Sequence, residues 1–266
     1  MLTSCRNTGH TNGSLETDSI CINETTHLFA DTAAPACNLR VNLAYATHAR
    51  RPGEADSLNT YFINVALGEK YDNLPPQEAV AKYARQYASD YRNDLEPTYA
   101  EDLKEDDSKG VDAWYSYYRN IESRVQCSSN RLLVYCVKYE EYTGGAHGIY
   151  ARQYYNIDLH SLSPIRLTDV LIPDCEEELS SLLWQQLAAD HQSTRQELED
   201  DMGYGSTGPL VPTENFYLDP LSRQLTFQYN VYEIAPYSTG DTSISLPIEA
   251  VEHLLTDYGH TLLDNR

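Results

Sequence analysis

Residues 113–142, AWYSYYRNIESRVQCSSNRLLVYCVKYEEY, decide the fold class. Two runs rich in aromatic and β-branched residues, Ala113 to Cys127 and Arg131 to Tyr142, flank Ser128-Ser129-Asn130. Such runs about a three-residue polar loop predict an antiparallel hairpin. In that register Cys127 faces Arg131 and Cys136 faces Glu122, too far apart for the short Cα separation of a disulfide. Downstream, Ile149 to Leu159 reads as a third strand, which completes a meander.

Working outward, helices interrupt the strands. Pro75-Pro76 opens a segment whose Val80, Tyr83, Ala84, Tyr87, Ala88 and Tyr91 recur at spacings of three and four, the stripe of an amphipathic helix. The acidic stretch 94–112 then reads as a connector. After the turn Ser161-Leu162-Ser163-Pro164, the segment from Cys175 to His191 carries a second stripe, Leu179, Leu182, Leu183 and Leu187. Its first turn holds Glu176, Glu177 and Glu178, where carboxylates meet the positive end of the helix dipole. Asn215 to Leu218, Gln224 to Tyr229 and Ser243 to Leu246 read as further strands, and Pro247 opens a last helix to about Thr256. Toward the N-terminus, Leu39, Val41, Leu43 and Tyr45 alternate with Asn38, Arg40, Asn42 and Ala44 as in a half-buried strand. Residues 58–67 fit a short helix or a strand equally well. Strand-rich blocks with a few helices and no regular βαβ alternation predict an α+β fold of antiparallel sheets with packed helices.

The charge restricts the partners. Among 266 residues, 19 are Lys or Arg and 40 are Asp or Glu, a net charge of -21. Residues 1–59 hold 6 acidic and 4 basic side chains, so nearly all the excess belongs to the remainder. A binder of nucleic acid or of an anionic membrane surface needs a basic footprint, so the balance excludes both and favours a basic partner. No run of 18 apolar residues occurs, which leaves no helical membrane span.

The six cysteines form no C-x-x-C and no Cys/His spacing of a zinc site, and no metal or other cofactor is expected. Asp106-Asp107-Ser108-Lys109-Gly110-Val111-Asp112 lacks the alternating oxygen donors of a calcium loop. Leu2-Thr3-Ser4-Cys5 looks like a bacterial lipobox, with Cys5 as the acylated residue. Residues 6–35 are rich in Ser, Thr, Asn and Gly, as in a flexible tether. The expected organisation is a lipobox-like start and tether over 1–35, an N-terminal α+β domain over 36–145 and a C-terminal one over 146–266. The product is then an exported periplasmic or cell-surface lipoprotein, touching the membrane only through its anchor.

Two segments carry the candidate site. In Tyr142-Thr143-Gly144-Gly145-Ala146-His147-Gly148, three glycines let the backbone enter positive φ around one imidazole. Tyr229 to Gly240 is an aromatic loop containing Tyr232-Glu233-Ile234-Ala235-Pro236-Tyr237. In this order the two segments resemble the paired extracytoplasmic domains of unknown function of the anti-sigma factor RsiV, a lysozyme receptor, and the non-catalytic domains of some peptidoglycan deacetylases. The resemblance covers about residues 37–256. It implies an α+β fold outside the cytoplasm and recognition of lysozyme, and carries over neither an active site nor sigma-factor regulation.

Three functions compete. A binding module would use Tyr142, Gly144, Gly145, His147, Tyr232, Glu233 and Tyr237 to capture lysozyme or another cationic protein. An envelope hydrolase or glycan-processing enzyme would use His147 as general base with Glu233 to orient it, since imidazole titrates near neutrality. A structural envelope component would need neither. No G-x-S-x-G or H-E-x-x-H motif supports the enzyme, and Ser206 lacks nucleophile-elbow spacing.

Overall fold

The computed structural model describes residues 15–104 and 112–263. Cys5 and nearly all of the 106–112 segment lie outside the described residues. The fold is α+β, with a six-stranded sheet and a separate three-stranded antiparallel sheet. The six strands are β1 (Glu16–His27), β2 (Ala36–His48), β3 (Tyr117–Ser128), β4 (Leu132–Tyr142), β5 (Ile149–Asp158) and β6 (Ser163–Ile165), adjacent in chain order. The expected meander is therefore present as β3, β4 and β5.

The chain divides into two compact units. One contains the described residues up to Arg124 with Val137–Tyr150; the other contains Val125–Cys136 with Ala151 onward. This differs from a single break near residue 145. The tip of the β3–β4 pair explains the difference, because Leu132, Val134 and Cys136 are buried in the core of the second unit.

In the first unit, β1 pairs with β2 in antiparallel register from Thr17↔Ala46 to His27↔Ala36. Residues 16–27 are thus a strand and not part of a tether. Their polar composition is compatible with pairing because Ile20 and Ile22 alternate into the interior. On β2, Leu39, Val41 and Leu43 are buried as expected, but Ala44 and Ala46 are buried too. Side chains satisfy the backbone there. Ala44 N–H donates to Ser123 Oγ (2.9 Å), and Asn59 accepts from Ala46 N–H (2.7 Å) while donating to its carbonyl (2.9 Å). Asn59 belongs to α1 (Glu54–Leu67), which settles 58–67 as helix, with Leu58, Phe62, Ile63 and Leu67 buried.

The second helix, α2 (Pro76–Asp102), carries the predicted tyrosine stripe but continues through 94–102, with Pro97 inside it. Tyr99 is the reason the connector reading fails: it is buried against Tyr115, centroids 4.9 Å apart, the latter in the short α3 (Asp112–Tyr115). Burial of this face offsets the backbone hydrogen bond that proline removes. The stripe also surrounds Arg119. Its Nη2 lies 2.6 Å from Glu141 Oε2 and Nη1 donates to Tyr83 Oη at 3.1 Å, with Tyr87 and Tyr139 rings on the guanidinium. β3 runs parallel to β2, from Cys37↔Tyr117 to Asn42↔Glu122, a pairing that the α1–α2 crossover makes possible.

In the second unit, α4 (Leu167–Val170) and α5 (Glu176–His191) precede α6 (Arg195–Met202), a helix beyond those the periodicity predicts. A capping box starts α6: Thr194 Oγ1 accepts from Glu197 N–H at 3.3 Å, and Glu197 Oε2 accepts from Thr194 N–H at 2.8 Å. The three-stranded sheet is β7 (Phe216–Asp219), β8 (Gln224–Tyr229) and β9 (Thr242–Pro247), followed by α7 (Ile248–Val251), a 3-10 turn and α8 (Asp257–Leu263). Two buried asparagines join β5 to this sheet through the backbone. Asn156 Nδ2 donates to Phe216 O at 2.7 Å, and Asn215 accepts from Tyr154 N–H at 3.0 Å. A hydrogen-bonded amide carries little of the cost of burying a polar group, so these links fix register as well as holding the layers.

Candidate functional site: two loops and a cavity

The first loop closes β4 onto β5. Gly144 and Gly145 take φ of +89° and +102°, and Tyr142 Oη donates to Gly145 O at 2.8 Å. Gly148 is required by close approach, because a Cβ there would lie 2.6 Å from Tyr118 Oη and 2.8 Å from Glu141 O. Tyr118 and Tyr142 stack with centroids 6.1 Å apart. His147 is exposed, and its Nδ1–H donates to the carbonyl of Gly148 at 2.9 Å.

The second loop follows β8. Glu233 turns back on Asn230, accepting from its N–H at 2.9 Å, so the carboxylate closes its own turn. Tyr232 is 48% exposed with φ of +70°, an uncommon conformation for a bulky side chain, and lies 5.6 Å from the Tyr237 ring. Val231, Ile234 and Ala235 are buried beneath it. The loop is tied at Gly205 N–H to Ile234 O (2.7 Å) and at Thr239 Oγ1 to Met202 O (2.7 Å). Ser206 donates its hydroxyl to Gly203 O at 2.6 Å, a turn contact.

His147 and Glu233 belong to different units, and each is engaged within its own loop. Tyr142, Gly144, Gly145 and His147 form one cluster; Tyr232, Glu233 and Tyr237 form another. Among the described residues no group of three His, Cys, Asp or Glu side chains is placed to hold a metal ion. Cys21, Cys37, Cys127, Cys136 and Cys175 are all free thiols, with Cys37 pushed up to about 11 and Cys127 to about 12 by burial.

The sequence reading missed a cavity of about 500 Å³ in the second unit, lined by Glu177, Ser180, Ser181, Trp184, Arg195, Glu199, Gly205 and the 209–211 segment. The sequence did hold a signal for it: Thr194-x-x-Glu197 is a capping box, which sets Arg195 and Glu199 one helical turn apart. A smaller cavity of about 250 Å³, lined mainly by Leu167, Leu171, Ile172, Cys175, Leu179 and Pro212, is more apolar.

These features define an α+β protein in two units, whose accessible features are tyrosine-bearing loops and open cavities. The chain belongs to the DUF3298 family. A family model described as a protein of unknown function (DUF3298) matches residues 168–249, within the second unit. The crystal structure of a DUF3298 family member from Bacteroides fragilis is 50% identical, with 94% of this chain and 96% of that one covered and a TM-score of 0.87. A DUF3298 family protein from Pseudomonas aeruginosa shares the fold at 19% identity and a TM-score of 0.65, covering 92% of this chain and 95% of its own. No curated protein matches the chain.

Proposed function

We propose that this chain is an extracytoplasmic binding module of the bacterial envelope that captures a cationic protein, with lysozyme as first candidate and a lipid anchor at Cys5. The observation that carries the reading is the surface of α5 and α6. Between Glu176 and Met202 the chain places eight carboxylates and one arginine. Glu176, Glu177, Glu178, Asp190, Glu197, Asp200 and Asp201 are exposed. Such a field accelerates encounter with a basic partner and weakens as salt screens it. The strained, exposed Tyr232 beside Tyr237 supplies rigid aromatic contact area of the kind binding loops use. The resemblance to RsiV supports lysozyme in particular.

The test is association of the purified protein with lysozyme over a salt series. Binding at low salt that weakens steadily as salt rises is the expected result, with Asp200→Lys and Asp201→Lys together reducing it. Absence of association at low salt removes the reading. A structural envelope role would instead give a stable neighbour in pull-downs and no response to lysozyme.

A further inference from the structure

Arg195 is held on two sides within the larger cavity. Its guanidinium carbon lies 4.3 Å from the centroid of the Trp184 ring, and Nε donates to Glu199 Oε1 at 2.7 Å. Among the described residues its two terminal nitrogens have no hydrogen-bond partner. A guanidinium fixed through its face and its Nε, with the terminal N–H groups unused, is prepared to bind a carboxylate in bidentate fashion.

Glu177 lines the same cavity, is exposed, and its carboxylate accepts no hydrogen bond among the described residues. Glu199 balances Arg195, so the cavity keeps one carboxylate in excess. A simple anion would meet Glu177 and the net charge of -21 unfavourably. A simple cation would leave the terminal N–H groups of Arg195 unused. A molecule carrying both charges satisfies both groups. The wall of Pro209, Leu210 and Val211 adds apolar surface, and about 500 Å³ lies within the small-molecule range. A stacked sugar fits poorly, because Trp184 is only 9% exposed and Arg195 covers its ring face. Gly205 keeps the cavity open, since a Cβ there would already touch the indole edge at 3.9 Å and any longer side chain would cover it.

We propose that this cavity binds a zwitterionic amino acid or short peptide with free termini, its carboxylate on Arg195, its ammonium group on Glu177 and its apolar side chain against Leu210 and Val211.

The chain has two tryptophans, so Trp114→Phe leaves Trp184 as the sole indole reporter. In that background Trp184 emission is titrated with L-leucine, leucyl-leucine, N-acetyl-leucine and leucine amide, and with a chitooligosaccharide. Leucine or leucyl-leucine should give a saturable change, and each blocked derivative should bind about tenfold more weakly or worse, as expected when a charge-assisted pair is lost. Arg195→Lys, checked for an unchanged melting temperature, should weaken leucine similarly because lysine lacks the fork. Glu177→Gln should make leucine and N-acetyl-leucine bind alike. The proposal is overturned if neither zwitterion gives a saturable response, if all leucine derivatives bind equally, if folded Arg195→Lys binds unchanged, or if only the oligosaccharide saturates.

Discussion

Arg131 and Asp158 form a charged pair in the second unit, with Nε 3.1 Å from Oδ2. The carboxylate also accepts from Tyr258 Oη at 2.8 Å and from His160 N–H at 2.7 Å, while Arg131 lies over the Tyr258 ring. Asp158 is buried, which alone would raise its pKa, but these donors outweigh desolvation and hold it below the ordinary carboxylate value. One residue at the end of β5 thereby ties the start of β4 to α8.

This pair predicts an acid-sensitive contribution to stability. Because the folded pKa of Asp158 is depressed, its stabilisation is complete above the unfolded value of about 3.9 and is lost as pH falls through the lower folded value. Asp158→Asn should cost about 2 kcal/mol at neutral pH and should flatten that part of the acid decline, read from urea unfolding at several pH values. An acid profile identical to wild type would show that the pair does not titrate with folding.

The glycine loop predicts a contrast between neighbours. Gly148→Ala should destabilise by about 1–3 kcal/mol, because its Cβ meets the Glu141 carbonyl and the Tyr118 hydroxyl in a packed site. His147→Ala should change stability by less than about 0.5 kcal/mol, since the imidazole is exposed and substitutions at exposed positions cost little. Thermal melts of the two variants check both. A large loss for His147→Ala would make the imidazole architectural. Unchanged melting with loss of an enzymatic activity would revive the hydrolase reading.

The thiols predict slow labelling. Burial raises Cys37 to about 11 and Cys127 to about 12, and Cys136 is fully buried, so at about pH 8 few thiolates form and few are reachable. A thiol-disulfide reagent should leave these three unmodified over minutes in the folded protein and label all of them in concentrated guanidinium chloride. Rapid labelling of Cys37 in the folded state would contradict the packing around β2.

Much of the fold was legible because the relevant signals are local. The alternation of β2, the tyrosine stripe of α2, the leucine stripe of α5 and the paired runs of β3 and β4 each report which side of one element faces a core. The capping box of α6 is an equally local signal. At the site, sequence singled out both loops, because clustered glycines and a Tyr-rich segment are composition signals. It did not reveal that Glu233 turns back on Asn230, since that depends on the path of the whole loop.

Sequence by itself therefore determined the α+β class, the acidic field and most of the elements, because these follow from side-chain periodicity and formal charge. Tertiary structure alone decided that residues 16–27 pair with β2, that β3 runs parallel to it, and that Leu132, Val134 and Cys136 join the core of the other unit. It also decided that Arg195 lies on Trp184. The reason is one of range. A pattern of neighbours records which face of an element is apolar, whereas the identity of its partner depends on contacts between residues far apart in the chain, which only the packed molecule selects.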